Sequence, residues 1–209
     1  MNLPSYYFIF KEAVPTRICD DIIRLGLSLT PKLATTRGYN EGEQTKSDLD
    51  KLKKKRDSQV TWLDDPWIYN LVHPVVHLAN KHTGWNFEWN WSERAQFTIY
   101  RPEHHYGWHC DSGPGPYKEG PYSAKIRKIS SILILSDRSE YEGGEFEIDP
   151  RHHDPDDEPP LNSSVKHLSE IENKGTIVVF PSFVWHRIKP VTKGVRYSVP
   201  LWHLGQPWQ

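Results

Sequence analysis

Two stretches near the start of the chain repeat apolar side chains at the spacing of one helix face. Residues 16–29 carry this pattern, and Thr16 is the predicted N-cap. Residues 65–84 repeat it, with Asp65 as the predicted cap and Pro74 expected to bend the helix. We therefore predict two helices in the first part of the chain.

From residue 85 the apolar pattern changes to a period of two, and the runs become rich in β-branched and aromatic residues. Turn-forming residues bound each run, and no helical pattern lies between the runs. The predicted strands are FEWNWS, RAQFTIYR, ISSILILS, GEFEI, GTIVVF and VRYSVPLWH. This order favours an antiparallel sandwich or barrel. We expect a mainly β, jelly-roll protein of one domain, residues 1–209, with a helical part over about 1–84 and the core over about 85–205.

Two polar segments interrupt these elements. Residues 36–58 predict a mobile loop with one helical turn, and their basic run at 51–56 is typical of a solvated face or of a loop that closes over substrate. Residues 149–164 are acidic and proline-rich, and predict an exposed loop. On the second predicted helix, His73 and His77 lie at the spacing of a metal-binding pair, but a helix-surface role is favoured because no third ligand follows.

Composition narrows the functional classes. The 26 Lys and Arg nearly balance the 27 Asp and Glu, which disfavours a nucleic-acid or membrane-surface binder. No apolar run approaches the length of a membrane span, and the N-terminus lacks a signal-peptide pattern. Two distant cysteines predict a reducing, cytoplasmic setting. The oligomeric state is not indicated.

A motif at the middle of the chain, GWHCDSGPG, contains His109 and Asp111. Alternate strand residues point to the same face, so we expect these two side chains to aim together. Towards the C-terminus, His186 follows a buried-looking strand and Arg196 lies within another. Two histidines and a carboxylate on a β scaffold are the ligand set of non-haem Fe(II) oxygenases. A buried arginine needs an anion, and its planar fork suits a carboxylate.

These residues and their flanks resemble the Fe(II)/2-oxoglutarate-dependent dioxygenases, specifically the prolyl 4-hydroxylase-like branch. The resemblance covers roughly residues 58–203. It lies in three stretches: FTIYRPEHHYGWHCD, RKISSILILSDRSEYEGGEFEI and KGTIVVFPSFVWHRIKPVTKGVRYSVPLW. It implies a double-stranded β-helix core with N-terminal supporting helices.

The resemblance also implies roles for single residues. His109, Asp111 and His186 would ligate Fe(II). Arg196 would pair with the C5 carboxylate of 2-oxoglutarate, and Tyr100 would reach the same cosubstrate.

Two further residues share the strand face of Arg196. Trp202 is expected to wall the pocket, and Ser198 to assist the arginine. Oxygen-sensing prolyl hydroxylases carry a second carboxylate-binding tyrosine where this chain has Ile134. Either Tyr100 or Ser198 is expected to replace it.

The function implied is a hydroxylase that uses Fe(II), 2-oxoglutarate and O2, with ascorbate returning oxidised iron to Fe(II). Its expected partner is a proline-containing peptide or protein, converted by a prolyl 4-hydroxylase reaction that yields succinate and CO2. Two alternatives stay open: an oxygenase acting on a small molecule or another amino-acid residue, and a non-catalytic metal-bound β-sandwich that binds a partner. A zinc hydrolase is disfavoured because the sequence lacks a His-Glu-x-x-His helix motif.

Overall fold

The computed structural model of the chain describes residues 3–36, 45–151 and 165–208. Within these ranges the helices are α1 (Thr16–Ser28), α2 (Lys46–Lys55) and α3 (Pro66–His82). The first strands are β1 (Phe8–Phe10), β2 (Lys32–Leu33), β3 (Arg56–Asp57), β4 (Gln59–Leu63), β5 (Trp91–Ser92), β6 (Ala95–Tyr100), β7 (His105–His109) and β8 (Ile126–Ile134). The remaining strands are β9 (Tyr141–Gly143), β10 (Phe146–Asp149), β11 (Lys166–His167), β12 (Ile177–Pro181), β13 (Trp185–Ile188), β14 (Val191–Gly194) and β15 (Arg196–Gly205).

The predicted arrangement of an antiparallel β core with flanking helices is confirmed. One eight-stranded sheet has the order β1-β12-β8-β15-β6-β4-β2, with β5 paired to the end of β15. A smaller sheet has the order β11-β10-β13-β7-β3, and β14 pairs with β9. All of these strand pairs are antiparallel.

Two apolar cores explain why the sheets and helices pack as they do. One core lies under α1 and α3 on the outer face of the large sheet and includes Ile22, Val76 and Phe97. The other joins residues of both sheets, such as Ile134 and Phe146. The two sheets therefore face each other, and the inner face of the large sheet looks into the space between them.

The first helix lies directly on the large sheet. Gly26 of α1 is buried, and a Cβ added there would clash with the Phe97 ring. The helix begins at Thr16 itself, so Pro15 and not Thr16 is the N-cap. In α3, Asp65 is the N-cap as predicted and Pro74 lies inside the helix. Among the residues described, no helix is long and apolar enough to cross a membrane.

The polar segment after β2 differs from its prediction. Residues 46–55 form the whole of α2 rather than one helical turn. A capping box explains this: Thr45 Oγ1 accepts from the Asp48 backbone N–H, and Asp48 accepts from Thr45. Three lysines in the last turn also suit the helix dipole. The rest of the predicted loop, residues 37–44, lies outside the described residues, as do residues 152–164 of the acidic segment.

The FEWNWS stretch is also not the strand that its alternation predicts. Only its last two residues, β5, are in a sheet. Trp85 and Phe87 instead pack into the core beneath the helices, where their rings stack at 6.1 Å between centroids. Burial of large aromatic surface here prevails over the period-two pattern.

Candidate metal centre and cosubstrate pocket

Three predicted metal ligands meet between the two sheets. His109 is the last residue of β7, and His186 lies opposite it on β13. Ligand atoms of His109, Asp111 and His186 all lie within 4.8 Å of one another. Asp111 lies beyond the end of β7, so strand alternation is not what aims it at His109. The turn is held by a 2.7 Å bond from the Ser112 N–H to the Ser182 carbonyl.

Hydrogen bonds to backbone carbonyls fix the orientation of both imidazoles. His109 Nδ1 lies 2.9 Å from the Gly107 carbonyl oxygen, and His186 Nδ1 lies 2.9 Å from that of Val184. A carbonyl only accepts, so each Nδ1 carries the proton and donates it. Each Nε2 then presents a lone pair towards Asp111, at 3.8 Å from His109 and 3.6 Å from His186. This is the tautomer that a metal ligand requires.

The carboxylate between them is held in its charged form. Burial raises the pKa of Asp111, but His186, His109 and Arg127 lower it, and the pKa lies below its usual range. The Ser130 hydroxyl also donates to Asp111 Oδ2 at 2.7 Å. Burial, followed by the neighbouring His186, takes the pKa of His109 well below its usual range. A carboxylate beside a neutral imidazole is a donor set that fits a divalent cation.

Arg196 lies beside this group on β15 and is almost fully buried, with 2% of its surface exposed. Its Nη1 donates to Ser198 Oγ at 3.3 Å, whereas Nε has no partner among the described residues. Gly144 makes room for it, since a Cβ there would lie 3.2 Å from Arg196 Cδ. No described carboxylate forms an ion pair with this guanidinium. A buried cation with an unfilled donor fits a carboxylate-bearing ligand.

The predicted site residues line one cavity of about 380 Å³. Its wall combines the metal group with side chains from both sheets: Tyr100, Tyr106, His109, Asp111, Phe146, His186, Ile188, Arg196, Ser198 and Trp202. The Trp202 Nε1–H is a second buried donor without a partner in the described chain. The Tyr100 ring centroid lies 5.6 Å from Arg196 Cζ. The volume and the open donors suit a small, anionic molecule.

The position of Ile134 follows from strand register. Ile134 lies directly opposite Ser198 where β8 pairs with β15, and it is fully buried in the core between the sheets. Of the two expected replacements for the missing tyrosine, Ser198 bonds to Arg196 directly, whereas Tyr100 meets it with its ring. Both expected residues therefore adjoin the guanidinium.

Sequence reasoning missed the ion pair of Glu93 and Arg127. Arg127 Nε and Nη2 each donate to a Glu93 carboxylate oxygen at 2.6 Å. The guanidinium lies 3.9 Å above the Trp202 ring, and its Nη1 is 4.0 Å from Asp111. Tyr117 also donates to Glu93, at 2.8 Å. No local pattern marks this pair, because its members lie 34 positions apart.

Tyr106 packs within the site as well as lining it. Its ring borders the cavity and stacks on His109, with centroids 3.5 Å apart and an angle of 10° between the planes. Burial raises the pKa of Tyr106 to about 12, so the phenol is neutral.

The sequence is similar to that of known oxygenases and hydroxylases. The model of the 2OG-Fe(II) oxygenase superfamily matches residues 95–204, just over half of the chain. A PKHD-type hydroxylase of Xylella fastidiosa is 32% identical over 110 residues, which are 51% of this chain and 42% of the relative. One from Nitrosomonas europaea is 30% identical over 148 residues, 68% of this chain and 58% of the relative. The chain thus matches about half of the length of these curated relatives.

Solved structures share the fold at low sequence identity. A viral collagen prolyl hydroxylase from Paramecium Bursaria Chlorella virus-1 superposes with a TM-score of 0.63 at 16% identity, over 96% of this chain and 97% of that one. A Pseudomonas putida prolyl-4-hydroxylase gives 0.61 at 16% identity, over 96% and 93%. These likenesses support the double-stranded β-helix architecture.

Proposed function

Because the chain belongs to the 2OG-Fe(II) oxygenase superfamily, we propose that it is an Fe(II)- and 2-oxoglutarate-dependent hydroxylase of prolyl residues in a peptide or protein. One observation carries the proposal: a metal donor set and a buried guanidinium that has no ion pair with any described carboxylate share a cavity of about 380 Å³. A metal-binding module without catalysis would have no use for that guanidinium. The names of the relatives, which include prolyl hydroxylases, support the substrate class.

The metal would be held by three side chains of this chain. His109 and His186 would offer Nε2, since their Nδ1 protons are committed to backbone carbonyls. Asp111 would offer a carboxylate oxygen, with Ser130 fixing the other side of the group. Two imidazoles and one carboxylate leave further coordination positions free for cosubstrate.

Arg196 would bind and orient the cosubstrate through its distal carboxylate. Its open Nε–H and its Ser198-bonded Nη1 offer charge-assisted donors in one plane. Apolar neighbours such as Phe146, Ile188 and Trp202 would exclude water from this carboxylate and strengthen the pairing. The chemistry supplied by bound iron and 2-oxoglutarate is decarboxylation of the latter to succinate and CO2, coupled to hydroxylation of a substrate C–H bond with O2. Ascorbate is proposed as the reductant that returns oxidised iron to Fe(II).

The test is a turnover assay with Fe(II), 2-oxoglutarate and ascorbate. Proline-containing peptides, free proline and no substrate form the three arms, with succinate and products of 16 Da added mass as readouts. We expect succinate and hydroxylated product with peptides, none with Arg196→Ala, and both with Arg101→Gln, a change at an exposed arginine outside the cavity. Turnover confined to free proline would support the small-molecule alternative. Absence of succinate in every arm would contradict an oxygenase.

A further inference from the structure

Arg56 is a second buried cation in the cavity, and sequence reasoning did not single it out. It ends the basic run at residues 51–56, where Lys53, Lys54 and Lys55 are exposed as expected of a solvated face. Arg56 itself is 5% exposed. It begins β3, and β3 pairs with β7 so that Arg56 lies opposite Tyr106. This pairing turns its side chain from the helix surface into the cavity wall.

The contacts of Arg56 are all with neutral groups. Its Nε donates to Ser58 Oγ at 3.1 Å, and its Nη1 donates to the Thr35 carbonyl at 3.1 Å. The Cζ atom lies 4.5 Å from the Tyr106 ring centroid. Across the three described ranges, no carboxylate lies within ion-pair distance of this guanidinium. An unpaired charge at such depth is costly unless a ligand brings the counter-ion.

The other two arginines of the cavity, Arg127 and Arg196, already have an anionic partner, either observed or proposed. Arg127 is neutralised by the two bonds from Glu93. Arg196 is the proposed partner of the cosubstrate. Four described lining residues are basic (Lys32, Arg56, Arg127 and Arg196), whereas Asp111 is their acidic counterpart on the wall. Once 2-oxoglutarate has paired with Arg196, Arg56 still lacks an anionic partner within residues 3–36, 45–151 and 165–208.

The place of Arg56 indicates which molecule brings that anion. Arg56 contacts Tyr106, and the Tyr106 ring stacks on His109, one of the proposed metal ligands. A group bound at Arg56 is therefore one aromatic ring away from the metal centre. That is within reach of a side chain close to a prolyl residue held at the metal.

We propose that Arg56 binds a carboxylate of the prime substrate, so that the protein selects proline-containing peptides with Asp or Glu beside the target proline. The selection rests on the proposed function. The two Nη atoms retain free N–H bonds beyond the one given to Thr35, and a carboxylate can accept them side by side. The contact of the guanidinium with the Tyr106 ring, at 4.5 Å from Cζ to the centroid, and its hydrogen bonds to Ser58 and Thr35 hold this group at the cavity wall.

The experiment measures peptide binding by calorimetry with the full chain, Mn²⁺ and 2-oxoglutarate under anaerobic conditions. End-capped peptides carry Glu, Gln or Lys at each of the three positions on either side of one proline, and one uncapped Gln peptide supplies a terminal carboxylate. We expect the best Glu peptide to bind about 10- to 100-fold tighter than its Gln partner, the range for a hydrogen-bonded charge pair. The Lys peptide should bind weakest.

Variants assign this preference to Arg56. R56Q should reduce the Glu-over-Gln ratio to less than about 3-fold, R56K should keep part of it, and R101Q should keep all of it. R56K also serves where R56Q folds poorly, and thermal unfolding of each variant is recorded. An equal affinity for Glu and Gln peptides in the parent, or an unchanged ratio in R56Q and R56K, would overturn the proposal. If only the uncapped peptide bound more tightly, Arg56 would recognise a terminal carboxylate and not an Asp or Glu side chain, and the proposal would be overturned.

The same peptides in the turnover assay separate this proposal from the proposed function. Hydroxylation of Glu and Gln peptides with equal kcat/KM would overturn the role of Arg56 alone. Charge-selective binding lost in R56Q, with no succinate from any peptide, would uphold the binding role and contradict the hydroxylase.

Discussion

The two faces of strand β15 bury two nitrogen-bearing side chains in different ways. His203 points towards the helices, and both its ring nitrogens lie 3.0 Å from hydroxyls, Nδ1 from Ser92 and Nε2 from Ser131. Arg196 points into the cavity, where Nη1 donates to Ser198 Oγ but Nε has no hydrogen-bond partner among the described residues. Each is almost without exposed surface. Burial alone therefore does not distinguish a structural polar group from a binding group.

What distinguishes them is whether the chain itself satisfies the polar atoms. On the helix face, His73 Nε2 also meets the Ser92 hydroxyl at 3.0 Å, which links two imidazoles without a carboxylate. His77 stacks on Trp89 with ring centroids 4.4 Å apart. His73 and His77 thus contact a hydroxyl and an indole ring, respectively. On the cavity face Arg196 Nε and Trp202 Nε1 have no partner among the described residues, and on the helix face Trp89 Nε1, beside His77, has none either. Arg196 differs from the two tryptophans because its buried group is charged, and a ligand that brings an anion would complete it.

The largest expected effect is on metal affinity. The cavity face has a carboxylate, Asp111, between its two histidines, whereas the helix face has a hydroxyl, Ser92, between His73 and His203. Asp111→Ala should lower Mn²⁺ affinity by more than about 100-fold, because even residues that only orient ligands contribute about 10–100-fold. Ser92→Ala removes the hydroxyl between His73 and His203 and should leave Mn²⁺ affinity unchanged. Calorimetric titration of each variant checks this. A comparable loss in Ser92→Ala would mean that the helix face contributes to metal binding.

The next largest effect is on 2-oxoglutarate affinity, and it compares substitutions on the two faces of β15. Arg196→Ala should weaken 2-oxoglutarate binding by roughly 30- to several-thousand-fold, the range for truncating one partner of a buried charge pair, about 2–5 kcal/mol. Arg196→Lys should recover part, since the ammonium lacks the planar fork. Tyr197→Phe, on the opposite face, should change nothing. Metal affinity should persist in all three, and an unaffected 2-oxoglutarate affinity in Arg196→Ala would contradict the cosubstrate assignment.

Acid should lower the free energy of unfolding through the histidines on the helix face of β15. Burial, and then His73 and His77, hold the pKa of His203 well below its ordinary value of 6.5. Burial and His77 also lower the pKa of His73. Below pH 6.5 the unfolded chain binds protons that the folded chain does not, so the free energy of unfolding falls as pH falls and is fully kept above that pH. For His203 the slope reaches at most about 1.4 kcal/mol per pH unit.

Urea unfolding of the metal-free protein between pH 7.5 and 5.5 measures this slope. His203→Gln keeps a hydrogen-bonding side chain and should give a shallower acid dependence than the parent. The difference between the slopes measures the titration of His203 together with its coupling to His73 and His77. Identical slopes would show that His203 is not the source.

The smallest effect compares one hydroxyl on each face. Ser131→Ala leaves His203 Nε2 without its serine partner and should cost about 1–3 kcal/mol of unfolding free energy. Ser198→Ala removes one 3.3 Å bond to Arg196 and should weaken 2-oxoglutarate binding by only a few-fold. Unfolding and binding measured on both variants test the contrast. A larger loss of binding in Ser131→Ala than in Ser198→Ala would reverse it.

The β core and the helices α1 and α3 could be predicted from periodicity, because their buried faces repeat over many residues. The grouping of His109, Asp111, His186 and Arg196 in one cavity was expected from a short motif together with a family resemblance. The prediction that Asp111 points towards His109 is confirmed, but the reason given for it, strand alternation, is wrong. Asp111 lies after the end of β7, and its position depends on the turn.

What could not be predicted depends on contacts between distant segments. The short strands β3 and β13 have little pattern of their own and are fixed by their partners β7 and β10. Arg56 looks like its exposed lysine neighbours until β3 pairs with β7. Glu93 and Arg127 meet because both lie against β15: Arg127 of β8 pairs with Leu204, and the Glu93 N–H donates to the Trp202 carbonyl. Such residues need the assembled sheets before their roles become visible.

The alternation of β15 also bears on how faithfully the chain folds. In the native register Arg196 lies opposite Tyr100, and Ser198 lies opposite both Thr98 and Ile134. A slip by one residue would exchange the faces, placing the Arg196 charge beneath the helices where Tyr197 now stacks on Phe97. A cation in that apolar layer would be strongly unfavourable. The arginine proposed to bind cosubstrate thus also penalises misregistered intermediates during assembly of the sheet.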